Sequence, residues 1–389
     1  MKLVVWSEGA TFYNLETFQQ LENFLGESIQ FVLADVDFEI RIEQGWDPPP
    51  FYSDNYLELP KRGFLKEAFR IIDSSPDACH LYISFWGVKR LFIVLLYALF
   101  KKRKTVVLFE AYTTKPVGYN RDEPILIAWL KVISRKISYP LAWRIINFLS
   151  GNKPPAFLPI SMLAYDQLVS DGFEENLFYP YGYFIHRKEV KASRNDFPNG
   201  ELRLVFSGTL VKRKGLDTVL ESIRSLNRDE IKVHLDIYGT GDGKRAIGSD
   251  IPGASYKGRY KPEKAQEIMA NYDLLIVPSL HEGWGVVINE ALLQGVPAIV
   301  SDAVGAKCLI EESGAGTVFT TGDSAQVTRI IESILDQPQI LSEWQESALK
   351  VKDFLTPQAA AKYLFDVLQY HFYGIGARPI PIWEFFNDN

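Results

Sequence analysis

A chain of 389 residues exceeds the roughly 250–300 at which one hydrophobic core stops growing, so a single small module is excluded and two domains are expected. Hydrophobic residues at 47%, aromatic at 13% and charged at 23% exclude a disordered chain. Two cysteines, Cys79 and Cys308, and five scattered histidines exclude a disulfide framework or a clustered metal-ligand motif and point to a reducing, cytoplasmic setting.

The chain opens on the apolar run Leu3-Val4-Val5-Trp6, cut short by Ser7-Glu8-Gly9. It is too short for the apolar region of a signal peptide and reads as a first strand. Further strands are expected over residues 30–33, 80–84, 105–109 and 157–160, with helices over 17–25, 66–73, 88–100 and 125–148; Pro140 should interrupt the last of these. Residues 81–100 are the one candidate membrane span. Lys89 and Arg90 at its middle cost about 2.5–3.5 kcal/mol each at a helix centre, and the unbroken apolar run 91–100 has the length of a buried helix, so no spanning segment is expected. The stretch from Trp46 through Pro48-Pro49-Pro50 to Tyr52 reads as an exposed loop. Asp35-Val36-Asp37 resembles a metal-binding D-x-D but lacks supporting context, and no metal is expected.

The net charge of −6 conceals an asymmetry, because thirteen basic residues face three acidic ones between Gly87 and Lys153, leaving −16 for the remainder. Such a segment seeks phosphate or anionic lipid. Its cations alternate with aliphatic and Trp positions over residues 125–133 and 141–146, which suits a helix lying in a membrane interface better than a groove reader, so nucleic acid is not the expected partner. A core helix with a solvated basic edge fits equally well, and periodicity does not separate the two.

The polar stretch 186–200, ending in Pro198-Asn199-Gly200, places a domain boundary near residue 190. Strands then recur over residues 202–206, 232–238, 274–278 and 298–301, with helices over 216–226, 262–271 and 286–294. A final helix over 357–373 should stop at Gly374, and the proline-containing tail 377–381 cannot be helical. This alternation implies an α/β chain of two Rossmann-like, doubly wound domains, residues 1–190 and 191–355, facing a central cleft. Residues 356–389 form a helix and tail returning to the N-terminal domain.

Three loops at strand ends carry candidate chemistry. In His281-Glu282-Gly283-Trp284-Gly285-Val286-Val287-Ile288-Asn289-Glu290, glycines just before a helix let the backbone approach a ligand, and the free N–H groups of the first turn suit an anion. Glu290 lies about 7.5 Å along the helix from Gly285, so Glu282 and Glu290 can serve opposite ends of one molecule. A carboxylate accepting two hydroxyls is a natural reader of ribose or hexose. Gly208-Thr209-Leu210-Val211-Lys212-Arg213-Lys214-Gly215 gathers three mutually repelling cations where open α/β sheets bind ligands, which suits a diphosphate. Tyr238-Gly239-Thr240-Gly241-Asp242-Gly243 closes the next strand, a weak signal alone. His281 and His186 have no evident partner and read as bystanders, while Trp284 suits either stacking on a sugar or packing.

From Leu202 to about Gln339 these residues resemble the donor domain of the family 4 retaining glycosyltransferases, which have the GT-B fold of two Rossmann-like domains. Glu282 and Glu290 match its E-x7-E element, Arg213-Lys214-Gly215 its R-K-G element, and residues 291–297 the segment that follows. The resemblance implies that Arg213 and Lys214 bind the diphosphate of a nucleotide sugar, and that Glu282 faces the transferred sugar. It places Gly208, Gly239 and the backbone of Gly283, Trp284, Gly285, Val286 and Val287 around phosphate and sugar, Glu290 on the ribose and Tyr260 at the base. Two departures stand out: Thr209 replaces an arginine often found there, and the N-terminal histidine and Gly-Gly loop of the family correspond to Glu110-Ala111-Tyr112 and Glu8-Gly9-Ala10, making Glu110 and Gly9 the acceptor-side candidates.

The implied activity is metal- and cofactor-independent transfer of a hexosyl group from a nucleoside-diphosphate sugar to a glycan or lipid-linked acceptor, by a peripheral protein at the anionic inner face of the cell membrane. The rivals are a nucleotide-sugar epimerase, a phosphorylase, for whose pyridoxal lysine there is no distinct signal, and a non-catalytic GT-B subunit partnering another transferase.

Overall fold

The computed structural model describes residues 1–8, 12–34, 55–83, 89–116, 124–190, 201–227, 230, 232–241 and 251–387. Gly9, Asp35-Val36-Asp37, the proline-rich stretch 46–52, Asp242-Gly243 and the turn 198–200 lie outside the described residues.

Among the described residues, twelve strands form two six-stranded sheets with every paired neighbour parallel. The first contains β1 (Leu3–Ser7), β2 (Gln30–Leu33), β3 (Tyr56–Glu58), β4 (Cys79–Ile83), β5 (Lys104–Glu110) and β6 (Ala156–Ile160) in the order β3-β2-β1-β4-β5-β6. The second contains β7 (Leu202–Ser207), β8 (Val233–Tyr238), β9 (Ala254–Gly258), β10 (Leu274–Val277), β11 (Ala298–Ser301) and β12 (Gly316–Phe319) in the order β12-β11-β10-β7-β8-β9. Both orders double back beside the first strand of the sheet, at β1/β4 and at β7/β10, which are the switch points where open parallel sheets bind ligands.

The central strands are continuous apolar runs because helices cover both sheet faces. Leu3–Ser7 and Leu274–Val277 are buried at every position, and so is the edge strand β6, whose outer side is covered by bridges from Phe157 to Phe178 and from Ile160 to Tyr181. The other edge strands, β3, β9 and β12, are short or partly exposed and mix polar with apolar residues, so they carry no such run and escape a reading by hydrophobicity.

The helices are α1 (Phe12–Leu25), α2 (Phe64–Ser74), α3 (Lys89–Phe100), α4 (Ile125–Ser150), α5 (Met162–Ser170), α6 (Leu216–Leu226), α7 (Ala265–Met269), α8 (Val286–Leu292), α9 (Lys307–Ser313), α10 (Ser324–Asp336), α11 (Gln339–Val351) and α12 (Pro357–Tyr373). Contrary to expectation, α4 runs unbroken through Pro140. Proline deprives the Lys136 carbonyl of its helical donor, but Lys136 is exposed, so water can take that bond. Helix α12 begins on Pro357 under a cap in which the Thr356 hydroxyl accepts from Ala359 N–H, and ends at Gly374 with φ 66°. It packs lengthwise on α1, and its Tyr363 stacks on Tyr181 at 6.2 Å. Beyond it, residues 382–387 form a 3-10 helix that places Trp383 beside Trp284. One apolar core thus runs through both sheets and the C-terminal helix. Both cysteines are buried free thiols. Among the described residues, no helix is long and apolar enough to cross a membrane.

Candidate active site

Four loops at the carboxyl ends of β7, β8, β9 and β10 enclose a cavity of about 230 Å³ lined by Gly208, Thr209, Lys214, Gly239, Arg259, Tyr260, Glu282, Gly285, Val286, Val287 and Glu290, among others. The backbone explains how loops so distant in sequence meet. Gly215 has φ 67°, and a Cβ there would lie 1.9 Å from the Pro278 carbonyl oxygen, so only glycine lets the cation turn cross the end of β10. Leu280 N–H then donates to the Arg213 carbonyl at 2.7 Å, tying the turn 212–214 to the segment that carries Glu282. That segment is fixed on its other side by Glu282 N–H to Ala303 O at 3.0 Å and Gly305 N–H to Glu282 O at 3.0 Å.

The expected diphosphate cations and the sugar-facing carboxylate form one cluster. Lys214 Nζ donates to Glu282 Oε2, and Arg213 donates to the same oxygen at 3.3 Å and to the His281 carbonyl at 2.8 Å. Burial alone would raise the Glu282 carboxyl, but the Lys214 and Arg213 charges outweigh it and hold it below the usual range. Arg213 stands behind Glu282 rather than lining the cavity, and Lys212 is exposed outside it. A cation missed in the sequence, Arg259, lines the cavity instead. It precedes Tyr260 at the end of edge strand β9, whose weak pattern hid its position.

Tyr260, expected at the base, lines the cavity; its hydroxyl shares a 2.5 Å hydrogen bond with Ser207 and its ring meets Tyr238 edge-on at 5.3 Å. Glu290 lines it too, buried on α8, and loss of solvation pushes its carboxyl up to about 7 against a small opposing effect of Lys188. A buried carboxylate of this kind is poised to ionise when hydroxyl donors arrive.

Across the cleft, Glu110 ends β5 and reaches the second domain. A Cβ on Gly283 would lie 2.3 Å from Glu110 Oε2, so the glycine makes room for that carboxylate, which accepts a 2.6 Å bond from the Tyr183 hydroxyl. Loss of solvation in the cleft, with the Glu282 charge adding to it, holds Glu110 above the usual range against the Tyr183 bond. His281 has a partner the sequence did not reveal, the Ala111 backbone across the cleft; burial first, then the Arg213 charge, lower it to about 4, so it is neutral near pH 7.

Of the two uses left open for Trp284, the structure shows packing. The Trp284 indole does not line the cavity: it is buried, donates to Asn289 Oδ1 at 2.8 Å, and lies over Gly182, where a Cβ would meet it at 2.4 Å. Its large flat ring fills the seam between the domains beside Trp383, leaving only its backbone near the site. Asn289, also missed, completes the seam by donating to the Tyr183 carbonyl at 2.9 Å. Among the described residues, no cluster of three or more His, Cys, Asp or Glu side chains could hold a metal ion.

Comparison with known proteins agrees with this geometry. Residues 187–351 match the family described as glycosyl transferases group 1. Lipopolysaccharide glucosyltransferase WaaG of Escherichia coli is 25% identical over 187 residues, 45% of this chain and 49% of that protein. Glycogen synthase of Desulfitobacterium hafniense is 28% identical over 195 residues, 46% of this chain and 41% of that protein. The chain thus spans about half the length of the curated relatives it matches. The crystal structure of Anabaena Alr3699/HepE in complex with UDP superposes with a TM-score of 0.68 at 15% identity, covering 95% of this chain and 100% of that one. Residues 187–351 thus match a group 1 glycosyltransferase domain within a chain of GT-B fold.

Proposed function

We propose that this protein is a retaining glycosyltransferase of family 4, moving a hexosyl group from a nucleoside-diphosphate sugar to a glycan or lipid-linked acceptor, without a metal ion. The observation that carries this reading is that one cavity gathers Tyr260, the buried Glu290 and the paired Lys214 and Glu282. That set matches base, ribose, diphosphate and sugar. WaaG and the Desulfitobacterium enzyme are named for glycosyl transfer, and HepE was crystallised with UDP, which supports the same donor class here.

In this reading the diphosphate displaces Glu282 as the main partner of Lys214, Arg259 adds a second cation in the cavity, and Arg213 contributes its charge from behind Glu282. As the bond between the anomeric carbon and the phosphate oxygen breaks, charge grows on the phosphate and these preorganised cations stabilise it. The acceptor hydroxyl enters from the Glu110 side and bonds to the anomeric carbon on the face the phosphate leaves. Its proton passes to the leaving phosphate oxygen, so configuration is retained. Glu282, released from full pairing, faces the positive charge on the sugar, and Glu110 orients the acceptor hydroxyl. The protein works at the cytoplasmic membrane face in glycan assembly, where such acceptors are exposed.

The test is incubation of the full chain with labelled nucleotide sugars and a membrane lipid extract in EDTA, followed by NMR of the product's anomeric proton. Retention in EDTA is expected. An inverted product, strict metal dependence, or donor rearrangement without acceptor would replace the reading, the last by an epimerase. Nucleotide binding unaffected by Glu290→Ala would favour a non-catalytic subunit.

A further inference from the structure

Helix α4 has two apolar faces. At 100° per residue, Ala128, Val132, Ala142, Trp143 and Ile146 fall on one side and are buried, Trp143 and Ile146 in a core shared with strands of the first sheet. On the other, Leu126, Trp129, Leu130, Ile133, Ile137 and Leu141 occupy an arc of about 120° and are all exposed, Leu126 at 68% and Trp129 at 48%. The stripe extends for about 23 Å at 1.5 Å per residue before the exposed Arg144 enters the arc, and Phe148, 84% exposed, lies beyond it on the same side. A contiguous apolar surface of this size marks an interaction site. The face also has a charge signature: α4 contains Lys131, Arg135, Lys136 and Arg144 and no acidic residue. Lys131 and Lys136 fall on opposite flanks of the stripe, where long side chains reach a headgroup layer while the apolar centre sinks below it.

We infer that the outer face of α4 is a membrane-docking surface that lies in the plane of an anionic bilayer, with Leu126, Trp129, Leu130, Ile133, Ile137 and Leu141 below the headgroups. Cations bracketing an apolar stripe complement anionic lipid, whereas a protein groove of matching length would need an acidic rim on both sides. Docking by this face holds the domain that carries Glu110 against the bilayer in which a lipid-linked acceptor would sit. The choice of acceptor rests on the function proposed above; the docking does not, and is measured without turnover.

The full-length protein is sedimented with vesicles of equal parts phosphatidylglycerol and phosphatidylcholine, and with phosphatidylcholine alone, at low and high salt. Binding to the anionic vesicles, weakened by salt, and quenching of Trp129 by lipids brominated on their acyl chains, read as the difference from Trp129→Phe, are expected. Leu130→Glu/Ile133→Glu should lower partitioning by roughly tenfold or more with an unchanged melting temperature, and Lys131→Glu/Lys136→Glu should remove the preference for anionic lipid. If the wild type does not bind, or binds without quenching at Trp129, the inference is overturned. A dimer in solution that Leu130→Glu/Ile133→Glu dissociates, together with indifference to lipid, would assign the face to a second copy of the chain instead.

Discussion

The cleft edge of the second domain and the outer face of α4 are opposite solutions to exposing reactive surface. In the cleft, charges are concentrated, partly desolvated and matched: one carboxylate, Glu282, holds two cations, Lys214 and Arg213. On α4, apolar side chains stand in solvent unmatched. The first arrangement stores electrostatic complementarity for a small anion, and its stability depends on every member being present. The second stores hydrophobic free energy for a large apolar phase and costs the fold almost nothing when altered. Substitutions should therefore affect activity in the cleft, and folding too where the backbone is crowded, but only location at α4.

The largest effect is expected at Gly239, where a Cβ would lie 1.8 Å from the Gly208 carbonyl and φ is 147°. Gly239→Ala should destabilise the second domain by about 3 kcal/mol or more and abolish nucleotide binding, as read by chemical denaturation and calorimetry. A stable, nucleotide-binding variant would show that this loop yields. Next, Lys214→Ala removes a phosphate ligand and leaves Glu282 with Arg213, so turnover should fall by roughly a hundredfold to a thousandfold with the fold retained. Steady-state kinetics would contradict this if only KM changed.

Glu290 sharpens the comparison through pH. Its carboxyl rises from 4.5 to about 7 in the folded chain, so the folded state binds this proton more tightly than the unfolded one. The contribution to stability is full below about pH 4.5, declines as pH rises towards 7, and is lost above it. The unliganded melting temperature should fall over that interval, and Glu290→Gln should flatten the slope. Ribose hydroxyls donate to the ionised carboxylate, so nucleotide affinity should rise with pH between about 6 and 8 in the wild type and be about tenfold weaker and flat in the variant. Titration calorimetry at several pH values decides it. The smallest effect belongs to α4: Leu130→Glu should change stability by less than about 0.5 kcal/mol and leave turnover on a water-soluble acceptor unchanged while slowing turnover on vesicles.

The parts of this architecture that could be read from sequence are those where chemistry restricts residue type. Thr356-Pro357 and Gly374 bracket α12 as written, because a capping hydroxyl, an N-terminal proline and a left-handed glycine have few substitutes. Glu282, Glu290 and Lys214 are legible for the same reason and share one cavity. Arg259 was not, since the strand before it is an exposed edge without a hydrophobic run. Trp284 stayed undecided between stacking and packing because glycines on both sides suggest a ligand approach, whereas Gly283 makes room for Glu110 and the indole fills the domain seam. Such contacts between distant segments leave no periodic trace. The two-faced character of α4 also defeats a one-sided amphipathic reading: opposed apolar stripes cancel, and only the packed structure shows which one the core takes.

The most direct test of the donor site is the melting temperature of the wild type, Glu290→Ala and Arg213→Ala with a panel of nucleoside diphosphates and nucleotide sugars in EDTA. A ligand bound only by the native state raises it. A rise with one base, lost in both variants, is the predicted result; equal shifts in all three proteins, or none with any nucleotide, would contradict the assignment of this cavity to a nucleotide sugar.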